Sequence, residues 1–363
     1  MYQIALTQVR GVGDVRAKQL VRYCGSARQV FKEKLPVLMN IPGVGAHMHR
    51  GLWGRELFRR AEAEIRTMQQ NGIRALFYQD KDYPTRLKEC EDGPFLLYVK
   101  GNVNLNHPRV VAVVGSRNMT AYGRARCEEI IRDLVPHQVM VVSGLAYGVD
   151  ACAHRAALDH NLLTVAVLGH GLDRIYPRLH HKLAGQVMAA GALLSDYITG
   201  SVPGPENFPK RNRIIAGLCD AIIVIEAAIT GGALITANIA NTYNRDVFAL
   251  PGKIHDKFSQ GCNKLIKIHK AHLMETAADI EYIMNWEPGN GRSRGAQTSL
   301  FASLSDEEKT VAGFLKTHPG AGIDHIVAGT GFNLSKVTSV LLNLEFKQVA
   351  RPLPGNTFHL RVH

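Results

Sequence analysis

The sequence lacks any apolar run approaching the ~18–20 residues that a membrane-spanning helix needs. Its opening, MYQIALTQVRGVG, lacks the basic-then-apolar order of an export signal, which points to a cytoplasmic protein. Cys24, Cys90, Cys127, Cys152, Cys219 and Cys262 are widely dispersed, with no C-x-x-C pair. That spacing excludes a disulfide scaffold or a zinc cluster and predicts reduced, buried thiols. No G-x-x-x-x-G-K-[ST] occurs, which excludes a P-loop ATPase. G-x-G-x-x-G is also missing, and Val141-Val142-Ser143-Gly144 ends in no acid for a ribose hydroxyl, so a dinucleotide cofactor is excluded. No cofactor or metal is expected.

What is present is a 363-residue chain, 46% hydrophobic and 20% charged, enough for a large core and two or three domains. The net charge of +12 is unevenly spread. Residues 1–75 carry 13 basic and 5 acidic side chains, a net +8, whereas 76–300 carry +3 and 301–363 carry +1. Such a chain attracts polyanions by counterion release, although solubility alone also explains an excess of this size. In the nearly neutral middle, an anion site has to arise from local clustering.

Residues 1–75 read as a small helical domain. Val9-Arg10-Gly11-Val12-Gly13 and Ile41-Pro42-Gly43-Val44-Gly45 each precede a helix, a G-h-G turn of the helix-hairpin-helix or SAM-like kind. Its glycines allow amides at a helix start to approach a phosphate. A tight structural turn fits equally well, and Arg10, Arg16, Lys18 and Arg50 do not decide between the two. From 76 to 286, short β-branched runs at 109–114, 139–142, 163–168, 221–225 and 247–250 alternate with helical stretches. This pattern predicts a doubly wound, mostly parallel α/β sheet covered on both faces. Ligands bind such sheets beyond the carboxyl ends of the strands, where Gly115-Ser116-Arg117 and Ser143-Gly144-Leu145 emerge. Residues 287–302 are Gly-, Ser- and Arg-rich and read as a linker. Residues 303–363 read as a winged helix: helices opened by Ser305 and Asn333, then a hairpin. Its second helix carries one basic residue, Lys336, which favours a protein-contact or vestigial role over DNA reading.

Two clusters carry the chemistry. In the first, Gly115 permits backbone approach to an anion, Ser116 adds a hydroxyl and Arg117 a guanidinium fork. In the second, Phe208-Pro209-Lys210-Arg211-Asn212-Arg213 places an aromatic ring beside three cations. Such a turn can stack a base while holding its phosphates; it also fits a core anchor beside a solvated helix face. Arg178, after Tyr176-Pro177, is expected near the same rim. Asp150 and His154, four apart, are expected to face each other and fix the Ser143–Gly148 loop rather than form a catalytic dyad. Glu226 reads as a buried partner for loop backbone or an arginine, and Thr230-Gly231-Gly232 as a source of helix-start amides.

GSRNMTAYG, SGLAYGVDACAH, FPKRNRIIAGL, VIEAAITGGALITA, VFALPG and QGCNKLI together resemble the DNA-processing protein A (DprA, or Smf) family over residues 80–275. The resemblance implies an extended Rossmann-like core without known catalysis. It also implies a cytoplasmic homodimer that binds incoming single-stranded DNA and helps load RecA recombinase during natural transformation. In the family the G-S-R arginine and the F-P-x-R-N-R segment border the DNA pocket. That implies DNA contacts by Gly115, Ser116, Arg117, Phe208, Lys210, Arg211 and Arg213, with Arg178 standing where members often have Lys. The region of Leu265 and Ile266 corresponds to the one used for dimerisation.

Two other readings compete. Thr230–Asn238 overlays the P-G-G-x-G-T-x-x-E of phosphoribohydrolases in its two glycines, but Asn238 stands in place of the glutamate, and an amide cannot act as a base. A protein-binding scaffold with incidental DNA affinity is the other.

Overall fold

The computed structural model describes residues 1–41, 54–286, 304–318, 320–347, 349–353 and 357–360. The second G-h-G turn with Arg50 and the expected linker at 287–302 lie outside these residues. Two compact units emerge, Met1–Pro288 and Gly289–His363.

The first unit is built on nine strands: β1 (Ile73–Phe77), β2 (Leu96–Gly101), β3 (Val110–Val114), β4 (Met140–Ser143), β5 (Thr164–Val167), β6 (Ala192–Ser195), β7 (Ala221–Val224), β8 (Asp246–Ala249) and β9 (His272–Leu273). Their order is β1-β2-β6-β5-β4-β3-β7-β8-β9. From β6 to β9 every pairing is parallel; β2 joins β6, and β1 joins β2, antiparallel. The apolar runs are continuous because both faces are covered. Val110, Ala112 and Val114 enter one buried cluster, while Val111 and Val113 enter another. This is the doubly wound sheet expected from the sequence.

Three strands add to that expectation. β6 has the sequence ALLS, with no β-branched residue, so it gives little strand signal. β1 and β2 extend the sheet from the segment read as a lead-in, and β1 straddles residue 75, where a domain boundary was expected. The N-terminal helices share one core with the sheet: Ala5, Leu20 and Leu38 belong to the same cluster as Phe95, Leu96 and Tyr98.

The second unit packs helices Asp306–Thr317, Ile323–Thr330 and Leu334–Phe346 against a three-stranded ribbon, β10 (Ala321–Gly322), β11 (Ala350–Leu353) and β12 (Thr357–Leu360). Ser305 and Glu308 form a capping box, and the Asn333 side chain accepts from the Lys336 amide, as the cap residues predict. Lys336 is paired with Glu307 at 2.5 Å.

Candidate nucleic-acid interface

Strand order reverses between β3 and β7, the position where a doubly wound sheet opens a crevice at its carboxyl edge. A cleft of about 610 Å³ lies there. Its walls come from Gly115–Arg117 after β3, Ala146 and Asp150 after β4, the 203–212 segment after β6, and Ala227–Ala233 after β7.

The β3 turn is held tightly. The Ser116 amide donates to Glu226 O at 2.8 Å, and the Val149 amide donates to Ser116 O at 3.1 Å. A Cβ on Gly115 would lie 2.5 Å from a Val149 methyl, so only glycine fits. Glu226 is buried and its carboxylate accepts from the Thr120 amide at 2.9 Å and hydroxyl at 2.5 Å. It therefore serves loop backbone, leaving Arg117 exposed and without a carboxylate partner among the described residues.

Arg117 stands over the Phe208 ring, 5.4 Å from its centroid. On that ring Tyr176 stacks at 5.9 Å and 29°. Phe208 sits in the first turn of the Asn207–Leu218 helix, where Pro209 is tolerated because early amides lack intrahelical partners. Tyr176 is 46% exposed, so the platform reaches solvent. The Gly232–Thr242 helix also begins at the cleft wall, with Gly231 as its N-cap and no side-chain cap among the described residues. A guanidinium, two rings and a helix start thus surround one opening, an arrangement suited to an anionic, aromatic ligand.

The remaining cations divide. Arg211 lines the cleft but is only 5% exposed, and it donates to Gly144 O at 2.9 Å and to Val167 O. A Cβ on Gly144 would lie 2.5 Å from that guanidinium. Burial lowers the Arg211 pKa against the pull of Asp150, and burial raises that of Asp150 against Arg211 and the amides of Gly144 and Ala146. Arg211 braces the loops after β4 and β5. Arg213 leaves the expected rim altogether. It pairs with Asp196 at 2.6 Å and Asp14 at 2.9 Å and donates to Asp92 O. Lys210 is exposed outside the cleft wall, and Arg178 is exposed in a neighbouring cleft. Of the eight expected residues, the cleft gathers Gly115, Ser116, Arg117, Phe208 and Arg211.

Asp150 fixes the Ser143–Gly148 loop as expected, accepting from the Gly144 and Ala146 amides, both at 3.2 Å. His154 does not face it. Its Nδ1 meets the Thr164 hydroxyl at 2.7 Å, and burial pushes its pKa down to about 3, so it stays neutral. The first G-h-G turn faces its own chain: Asp14 accepts from the Phe95 amide at 2.8 Å, and Arg16 donates to Gly11 O at 2.8 Å. Tyr176, which lines the cleft and stacks on Phe208, is absent from the residues expected there. Its only signal is its position before Pro177 at the rim.

Residues 74–285 match the family model described as DNA recombination-mediator protein A, and residues 296–356 match the DprA winged helix domain. The chain belongs to the DNA recombination-mediator protein A family. Among its relatives, Protein Smf from Synechocystis sp. is 33% identical over 392 residues, covering 99% of this chain and 98% of that protein. DNA processing protein DprA from Streptococcus pneumoniae is 44% identical over 201 residues, 55% of this chain and 71% of the relative. The X-ray structure of the Streptococcus pneumoniae protein superimposes with a TM-score of 0.67 at 34% identity, covering 77% of this chain and 95% of the other. DNA processing protein A from Helicobacter pylori, solved for its single-stranded DNA binding mode, gives 0.53 at 28% identity, covering 59% and 95%. The family match spans every wall of the cleft. No described helix is long and apolar enough to cross a membrane.

Proposed function

We propose that this chain binds single-stranded DNA in the switch-point cleft, with Gly115, Ser116, Arg117 and Phe208 in contact and Tyr176 extending the platform. The observation that carries this reading is the Arg117–Phe208–Tyr176 stack, open to solvent at the carboxyl edge of the sheet. Stacking on aromatic rings tolerates any base, and a guanidinium suits the flanking phosphate. Arg211 acts by positioning the loops, while Lys210 and Arg178 supply electrostatic attraction outside the cleft. The chain does no covalent chemistry on the strand: Asn238, in the place of a hydrolase base, is bound to Leu234 O and Lys270.

On family grounds the chain protects incoming DNA and helps load RecA recombinase during natural transformation, in the cytoplasm and as a homodimer. Exposed Ile229, Ile235 and Ile268 beside Leu265 supply the apolar surface for that dimer. The sheet unit, whose core the helices of 1–75 share, and the winged helix are the working parts. A gel shift comparing single- with double-stranded oligonucleotides, on wild type and Arg117→Ala, tests the reading. Preference for the single strand, reduced in the variant, is expected; equal binding of both forms by both proteins refutes it.

A further inference from the structure

We propose that a second cleft, walled by Lys100, Arg178 and His181, holds another nucleotide of the same strand; this rests on the single-stranded DNA reading above. The cleft measures about 630 Å³, within the range of small-molecule sites. Lys100 stands at the end of β2, and Arg178 and His181 follow the 174–177 loop. None of the three has an ion-pair partner among the described residues. Asp173, the acid in the wall, is already taken by Arg174 at 3.3 Å and by the Gly200 amide at 2.9 Å. Met188 and Leu193 line the same cleft and give it an apolar part. A lining that combines Lys100 and Arg178 with apolar side chains fits a phosphate joined to a base better than it fits an acidic peptide, which has no use for the apolar part.

The two clefts share one segment. Tyr176 lines the first, while Ile175 and Arg178 line the second, so their walls are one or two residues apart, within about 8 Å of chain. A strand stacked on Tyr176 and Phe208 has the second cleft as its next positively charged wall.

Fluorescence anisotropy on the full chain, with oligo-dT of about 2 nucleotides, which the first cleft alone accommodates, and of about 20, tests this. Lys100→Ala is expected to weaken the long oligonucleotide several-fold and to lower its salt slope by about 0.7, leaving the short one unchanged. Gly185→Glu places an anion in the cleft where a Cβ meets nothing within 4 Å, so it repels the strand without a clash. It is expected to give the same pattern at unchanged melting temperature. The proposal is overturned if both variants keep long-oligonucleotide affinity, or lose affinity for both lengths alike. It is also overturned if poly-glutamate or thymidine monophosphate displaces the long oligonucleotide as well as unlabelled dT does. If Arg117→Ala leaves both lengths unaffected, it is the first-cleft reading that fails, and the Lys100 result still stands on its own.

Discussion

Phe208 and Arg213 lie five residues apart on one helix and face opposite tasks. Phe208 meets the open cleft with Arg117 and Tyr176 on its ring. Arg213 is sealed between Asp14 from the N-terminal helices and Asp196 after β6. At about 100° per residue the two positions are about 140° apart around the axis, so a single basic-aromatic motif faces the open cleft on one side and holds the fold together on the other. Arg211, about 60° from Phe208, is intermediate: it reaches the cleft, yet spends its donors on Gly144 and Val167. A count of cations therefore overstates the binding charge, because buried carbonyls and carboxylates consume two of the three.

The comparison breaks most visibly at its buried end. Arg213→Met removes the guanidinium that Asp14 and Asp196 share. Removing one partner of a buried pair costs about 3 kcal/mol or more. Denaturant unfolding is expected to show that loss, and Asp14→Asn in the same chain to recover part of it. Substituting the open end does the reverse. Phe208→Leu is expected to cost about 1–3 kcal/mol of oligo-dT affinity per stacked base, with the melting temperature held. A fall in melting temperature matching that of Arg213→Met would make Phe208 a core anchor instead.

Arg117→Ala sharpens the contrast further. Because Arg117 is exposed over the ring, its loss leaves folding unchanged while the slope of log affinity against log salt falls by about 0.7, one phosphate contact. Arg213→Met, measured at a temperature where it remains folded, is expected to leave that slope where it was.

Much of this was legible in the residues. The β3, β4, β5, β7 and β8 runs announce a buried parallel sheet, and the Gly115-Ser116-Arg117 turn falls at its carboxyl edge because parallel strands place their following loops there. The caps at Ser305 and Asn333 mark helix starts through local hydrogen bonds that need no tertiary context. What was hidden depends on distant partners. β6 is Ala-Leu-Leu-Ser, stabilised by pairing with β5 and β2 rather than by propensity. The fate of Arg213 depends on Asp14, 199 residues earlier. Helical spacing separates it from Phe208, but cannot say that carboxylates wait on that side.

The smallest expected effect concerns protons at the same buried end. Burial raises the Asp196 pKa in the folded state, outweighing the pull of Arg213, and one of its carboxylate oxygens is buried without a hydrogen-bond partner among the described residues. A carboxyl group whose folded pKa exceeds its unfolded value, about 3.9, binds its proton more tightly in the folded chain. Its contribution is complete below the unfolded value and is lost as pH rises through the folded one. Asp196→Asn removes that titration while leaving Arg213 its partner Asp14. Unfolding free energy measured from about pH 3.9 upward is therefore expected to fall less steeply with pH in the variant than in the wild type. Nearly parallel curves would mean that Asp196 stays ionised throughout and that Arg213, not burial, sets its charge.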